Sequence, residues 1–206
     1  MSRFIEAAAL ASKGNQIGSK HGCVICISHQ LITNNDEMRR IYLSNHHIEK
    51  EFCPKATIGA FDIVVGRGWN HNALEDPESG GGKKRMLHSE VHAIADTIHT
   101  YGEDLAFNYI FPNSAILIVE LHKDYSYDNA PPCPKCHTAL RAVGVRQVHH
   151  STDQGFVQEL QLGPGNMELL DRHNVSIPLR VALGEFGMDC KRLTIAEERG
   201  RKKPKH

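Results

Sequence analysis

The stretch Leu87-His88-Ser89-Glu90-Val91-His92-Ala93-Ile94, taken with Pro131-Pro132-Cys133-Pro134-Lys135-Cys136-His137, decides how this chain is read. A histidine followed two residues on by a glutamate is commonplace, and a Cys-x-x-Cys pair can be structural, redox-active or haem-bearing. Together the two stretches offer a set. Leu87 to Tyr101 has helical spacing, with Leu87, Val91, Ile94, Ala95 and Ile98 as its apolar stripe and Gly102 as its stop, so His88 and Glu90 fall in a first turn. Pro134 suits the first turn of a second helix running to Gly144. Cys133 and Cys136 then lie one turn apart on one side of a helix start, where unpaired amides and the helix dipole favour thiolates. One imidazole and two thiolates form an accepted ligand set for a catalytic zinc that keeps its fourth position for water. His88, Cys133 and Cys136 are therefore the expected ligands of Zn2+, which brings the pKa of its water to about 7. Glu90, on the same turn as His88 but outside the ligand set, is the expected proton shuttle and catalytic residue.

Working outward, the chain alternates strands and helices. Ser2 can cap a helix from Arg3 to Lys13, ended by Gly14. His21 to Ser28 reads as a strand buried on both faces. Its own Cys-x-x-Cys, Cys23 and Cys26, puts the two thiols on opposite faces, so they are expected to be core residues rather than joint ligands. Residues 31–60 are polar and read as an irregular insertion between two strands of a hairpin, with His46, His47 and Cys53 as surface groups or a second metal site. Phe61 to Asn70 is the return strand, with Trp69 filling core and Asn70 displayed at the strand end.

Glu75 to Arg85, with its Gly80-Gly81-Gly82 and Lys83-Lys84-Arg85, reads as a locally basic loop and lacks the spacing of a P-loop. Ser114 to Leu121 is a buried strand, 122–130 a second polar insertion, and Val145 to His149 a further strand. A Gly163-Pro164-Gly165 loop, a short helix from Met167 to His173 and a final strand from Val175 to Val181 follow. The expected fold class is α/β, a three-layer α/β/α domain with a mixed five-stranded sheet and parallel pairing in its second half. It is expected to occupy residues 1–185 as one domain, with 186–206 as a basic tail.

Composition excludes several classes. The chain has 206 residues, 40% hydrophobic and 23% charged, so a packed globular domain is expected. Lys+Arg and Asp+Glu both number 24, so no net field draws the whole protein onto nucleic acid or an anionic membrane. The start lacks the features of an export signal and no apolar run reaches a membrane span, so a cytoplasmic location is expected, with the basic tail admitting a nuclear one. In such a compartment six cysteines mean metal ligands and core thiols rather than disulfides. Two other metal readings stay open: Cys133 to His137 also fits a c-type haem attachment pattern, and a structural zinc site could recruit His92 or His137 as a fourth ligand. A zincin is excluded, because Ser89 stands where that helix pattern needs glutamate after the first histidine.

The order His88-x-Glu90 and then Pro132-Cys133-x-x-Cys136 resembles the zinc-dependent cytidine and deoxycytidylate deaminase superfamily over roughly Ile17 to Val181. The resemblance implies a central mixed sheet flanked by helices, with zinc at two helix starts and hydrolytic deamination of a nucleobase. It also implies substrate-binding roles for Asn70, contacting the nucleoside, and for the backbone around Ser89, contacting the base. Family members usually carry alanine where this chain has Ser89, and the segment from Asp124 to Ala130 is unusually long. Glu90 to Ile94 is similar to deoxycytidylate deaminases, whereas Gly66 to Asn70 is similar to tRNA adenosine deaminases. The favoured substrate is a free pyrimidine nucleoside or nucleotide such as CMP or dCMP. Adenosine in tRNA is the alternative substrate, and a silent, zinc-retaining partner subunit or a structural zinc module the alternative roles. The expected partners are that small molecule, no membrane, and a second subunit that is either a copy of the chain or a related protein.

Overall fold

A computed structural model describes residues 3–14, 19–46, 63–73, 86–154, 157–163 and 176–188. In chain order these form helix α1 (Arg3–Lys13), strand β1 (Lys20–Ile27), helices α2 (His29–Thr33) and α3 (Asp36–His46), and strands β2 (Ile63–Trp69), β3 (His71–Asn72) and β4 (Met86–Leu87). Helix α4 (Ser89–Tyr101) follows, then α5 (Glu103–Leu105), a π-helical turn over Ala106–Ile110 and a 3-10 turn over Phe111–Asn113. Strands β5 (Ser114–Leu121) and β6 (Tyr127–Asp128), helix α6 (Pro134–Val143), strands β7 (Gln147–Ser151) and β8 (Val157–Gln161), and helix α7 (Ser176–Glu185) complete the order.

The main sheet runs β2-β1-β5-β7-β8, with short β6 pairing β5. Pairing is antiparallel except for β5 and β7, which lie parallel, as a helical crossover through α6 requires. This is the expected three-layer, mixed-sheet α/β fold. Strand alternation separates two cores. Cys23, Ile25 and Ile27 of β1 and Ile116 and Ile118 of β5 pack with α4, α6 and α7 on one face. Val24, Cys26, Val119 and Leu121 meet Ala7, Leu10 and Ala11 of α1 on the other. Cys23 and Cys26 are thus on opposite faces of the sheet, as the strand period demands.

Two glycines set how closely the layers approach. A Cβ on Gly22 would lie 2.1 Å from the Ala7 carbonyl oxygen of α1, and one on Gly68 would lie 1.9 Å from the Ser89 carbonyl oxygen of α4. Both distances are far inside van der Waals contact, so only glycine lets the helices sit this low on the sheet. Arg67 between them ties the layers by polar bonds. Its N–H donates to Asp96 of α4 at 2.8 Å, and its guanidinium meets Glu6 of α1 at 2.9 Å.

Three expectations are corrected. Residues 31–60 are not irregular throughout, because α2 and α3 fill 29–46. Asn35 Oδ1 accepts the Met38 N–H at 3.0 Å, Asp36 and Glu37 occupy the first turn of α3, and Met38 is buried, which together start an amphipathic helix. Of the segment expected as a strand from Val175 to Val181, the described residues 176–181 belong instead to helix α7: Leu179, Ala182 and Leu183 are buried at helical spacing and Pro178 sits in the first turn, where its missing N–H costs nothing. The last place in the sheet goes to β8, antiparallel to β7. Ser2, His47, Cys53, the loop 75–85, the short helix at 167–173 and the tail at 199–206 lie outside the described residues, and so does most of the Gly163 to Gly165 loop. No helix of the described residues is long and apolar enough to cross a membrane.

Replacing Gly68 by alanine forces β2 and the start of α4 apart. The expected cost is about 1–3 kcal/mol of stability, read as a lower denaturation midpoint. An unchanged midpoint would mean that the helix start is not seated on this strand.

Candidate metal centre

Two helix starts, those of α4 and α6, meet at the candidate centre. His88 is the N-cap residue of α4, in extended conformation at φ −82° and ψ 147°, and Cys133 is the N-cap of α6 at φ −62° and ψ 161° with Pro134 next. His88 therefore lies one residue before the first turn in which it was expected, and Glu90 lies within it. An N-cap side chain ordinarily bonds to amides of its own helix. Neither of these makes a standard cap bond, with only the Cys136 amide turned to the Cys133 sulfur. They turn to one another instead, with Cys133 Sγ 3.6 Å from His88 Nδ1. Cys136, in the first turn of α6 and 2% exposed, completes the group, and the donor atoms of all three residues lie within 4.8 Å of one another.

Bonds of about 2.0–2.3 Å in a tetrahedral zinc site place donor atoms about 3.3–3.8 Å apart. The His88–Cys133 separation already matches, so the residues fit such an ion. Neither His92 nor His137 belongs to the group. Among the described residues the centre thus offers three donors.

The protonation states suit metal uptake. Bonds from Cys136 and then from His88 hold the Cys133 thiol down to about 3. The Cys136 thiol, which keeps the proton that it shares with Cys133 and is buried, is pushed up, and the bond to Cys133 raises His88. Without metal the centre therefore carries one thiolate, one thiol and a histidine that is readily protonated.

Beside it, Glu90 is 4% exposed, and its Oε2 accepts the Ser89 Oγ–H at 3.1 Å. Ser89 itself is fully buried. A cavity of about 250 Å³ opens onto the centre, lined by Asn70, His88, Ser89, Glu90 and Cys133 among others. Five of the six residues expected at the site line one cavity, with Cys136 buried among the ligands.

Asn70 follows β2 and extends its ladder. Its Oδ1 accepts the His21 N–H at 2.9 Å and its Nδ2 donates to the Ser19 carbonyl at 3.1 Å. One lone pair and one N–H of the amide remain for a ligand in the cavity.

Sequence reasoning gave Ser89 only a backbone role; its hydroxyl is bonded to the candidate proton shuttle. It also passed over His71 and Glu185, which meet at 2.9 Å. Adjacency to Asn70 was the one cue for His71, and nothing local marks Glu185. No family model matches the chain, and comparison with curated proteins and with solved structures finds no match either. Fold and site together define an α/β/α protein with a His-Cys-Cys candidate metal centre beside a buried glutamate.

Because the buried Cys136 thiol holds a proton that a metal must displace, Zn2+ uptake at neutral pH is expected to release protons, and affinity is expected to fall on acidification. Calorimetry in buffers of different ionisation enthalpy measures this. Uptake without proton release would contradict the assigned ligands.

Proposed function

We propose that the protein is a zinc-dependent hydrolytic deaminase that converts a cytosine-type base to the uracil type on a free pyrimidine nucleoside or nucleotide. The observation that carries the reading is a buried carboxylate, Glu90, lining one cavity together with His88 and Cys133 of a three-donor candidate metal centre. His88, Cys133 and Cys136 would hold the ion, and zinc so bound supplies a water acidified to a pKa of about 7.

The chain's own residues account for the rest of the chemistry. Glu90 accepts a proton from water and delivers it to the ring nitrogen beside the amine-bearing carbon. Water oxygen bonds to that carbon as a hydroxyl; Glu90 then takes the hydroxyl proton and passes it to the amine, the carbon–nitrogen bond breaks, the carbon–oxygen double bond forms and ammonia departs. Deamination thus consumes one water and releases one ammonia, and Glu90 returns to its starting state. Ser89 holds the carboxylate by a hydrogen bond to Oε2, which keeps the proton-carrying oxygens aimed during both transfers. Asn70, anchored by one side-chain bond to His21 of β1 and one to the preceding Ser19, offers its remaining amide valences to the nucleoside.

The cavity of about 250 Å³ is smaller than the roughly 300–1,000 Å³ of most small-molecule pockets. It has room for a base, with sugar and phosphate towards the opening. The stretch Gly66 to Asn70 makes adenosine in tRNA the second substrate class to assay.

Glu90→Ala is expected to keep its zinc and to lose about a hundred to ten-thousandfold in kcat, measured as ammonia release from cytidine, CMP and dCMP. Near wild-type turnover in this variant would overturn the mechanism. Ser89→Ala removes a hydrogen bond to a charged acceptor, and kcat should fall on the order of tenfold with zinc content and KM unchanged. An unaltered kcat would reduce the Ser89 hydroxyl to a space-filling role.

A further inference from the structure

A second group of donors lies one helical turn beyond the candidate centre. His71 of β3, His92 of α4 and Glu185 at the end of α7 place one ligand atom each within 4.8 Å of one another. Three segments distant in sequence converge there.

The bonding of His71 sets its chemistry. Its Nδ1 lies 3.0 Å from the Trp69 carbonyl oxygen, and its Nε2 lies 2.9 Å from Glu185 Oε2. A carbonyl only accepts, so Nδ1 carries a hydrogen, and in the neutral ring the lone pair is on Nε2, facing a carboxylate oxygen. Two acceptors 2.9 Å apart need a positive charge between them, either a proton or a metal ion. A proton would join those two groups and leave His92 without a part, whereas a metal ion would use all three.

The surroundings match a metal site. A ligating histidine usually donates its other ring N–H to a carbonyl or carboxylate, as His71 does to Trp69. His92 is buried, and its ring lies 4.7 Å from that of His71 between centroids. Its one polar contact, from the Trp69 N–H at 3.5 Å, is beyond the usual hydrogen-bond range and costs little to give up. Trp69 and Phe186 flank the His92 ring at centroid distances of 4.5 and 5.5 Å and form an apolar wall. Tetrahedral bonds of about 2.0–2.2 Å would set His71 Nε2 and Glu185 Oε2 about 3.3–3.5 Å apart, a few tenths of an ångström wider than they are.

We infer that His71, His92 and Glu185 form a second metal site, of two imidazoles and one carboxylate, which takes zinc or a similar first-row divalent ion and fastens α7 to the strand end that carries Asn70. The set is one that zinc accepts, and the ions chemically nearest to it are cobalt and nickel. This inference is independent of the proposed reaction, since it concerns other residues and needs no turnover.

The test is metal stoichiometry on the full chain by equilibrium dialysis against Zn2+ and elemental analysis. The wild-type protein is expected to hold two equivalents. Cys133→Ser/Cys136→Ser should hold one, and His71→Ala and Glu185→Ala should each hold one. With Co2+ as the probe, the single ion of the cysteine variant should show no sulfur-to-cobalt charge-transfer band, whereas the ion left in His71→Ala should show one. Because the chain contains 14 histidines, the single variants decide which residues hold the second ion. One equivalent in wild type that is lost in Cys133→Ser/Cys136→Ser and kept in His71→Ala overturns the inference. A second equivalent that persists in both His71→Ala and Glu185→Ala overturns it as well. Where an alanine variant fails to fold, the conservative His71→Gln and Glu185→Gln replace it, and each is again expected to hold one equivalent.

Discussion

The structure depends on a contact between two helix starts. His88 and Cys133 both occupy N-cap positions, where a side chain normally turns back to bond its own helix amides. Here both turn outward, to within 3.6 Å of each other. The cost is weak capping of both helix ends, with only the Cys136 amide turned to the Cys133 sulfur. What it provides is a pair of soft and borderline donors at the positive ends of two dipoles, where a thiolate is favoured before any metal arrives. The first-turn position of Cys136 then brings a third donor to the same point without further chain movement.

The contact is possible only because both helices are brought low onto the sheet and held there. Gly66 and Gly68 remove side chains that would lift α4 off β2, while the bond from the Arg67 amide to Asp96 fixes the helix along that strand. The parallel pairing of β5 with β7 fixes α6 in turn, since its crossover must return along the same face of the sheet. Ser89 and Glu90 occupy the first turn of α4, so the carboxylate inherits its position from the strand beneath. Packing and chemistry thus share the same few residues, which is why a methyl group on Gly68 would disturb Glu90 as well as the core.

Much of this was legible beforehand, for identifiable reasons. The spacing of His88, Glu90, Cys133 and Cys136 falls at helix starts, where capping and dipole rules are strong and local. The opposite placement of Cys23 and Cys26 follows from the two-residue period of a strand. The segment from Val175 to Val181 was misread because a short apolar run fits a buried strand and a buried helix equally well. Only the burial of Leu179, Ala182 and Leu183 separates the two. Helix α3 was hidden by its own cap, since Asn34-Asn35-Asp36 looks like loop until Asn35 is seen to accept the Met38 amide. Strand β8 escaped notice because it is polar, with Glu159 and Gln161 exposed at the sheet edge. The meeting of His71 with Glu185 joins residues far apart in the chain and has no local signature at all.

The account's central claim is that the three-donor centre and Glu90 act together on the amine of a nucleobase. The most direct measurement is ammonia release by the zinc-loaded protein from cytidine, CMP, dCMP and dCTP, with guanine and adenosine-bearing tRNA alongside, before and after removal of the metal by a chelator. The account predicts release from a cytosine nucleoside or nucleotide that stops on chelation and returns with Zn2+. Ammonia from none of them while zinc remains bound would contradict it.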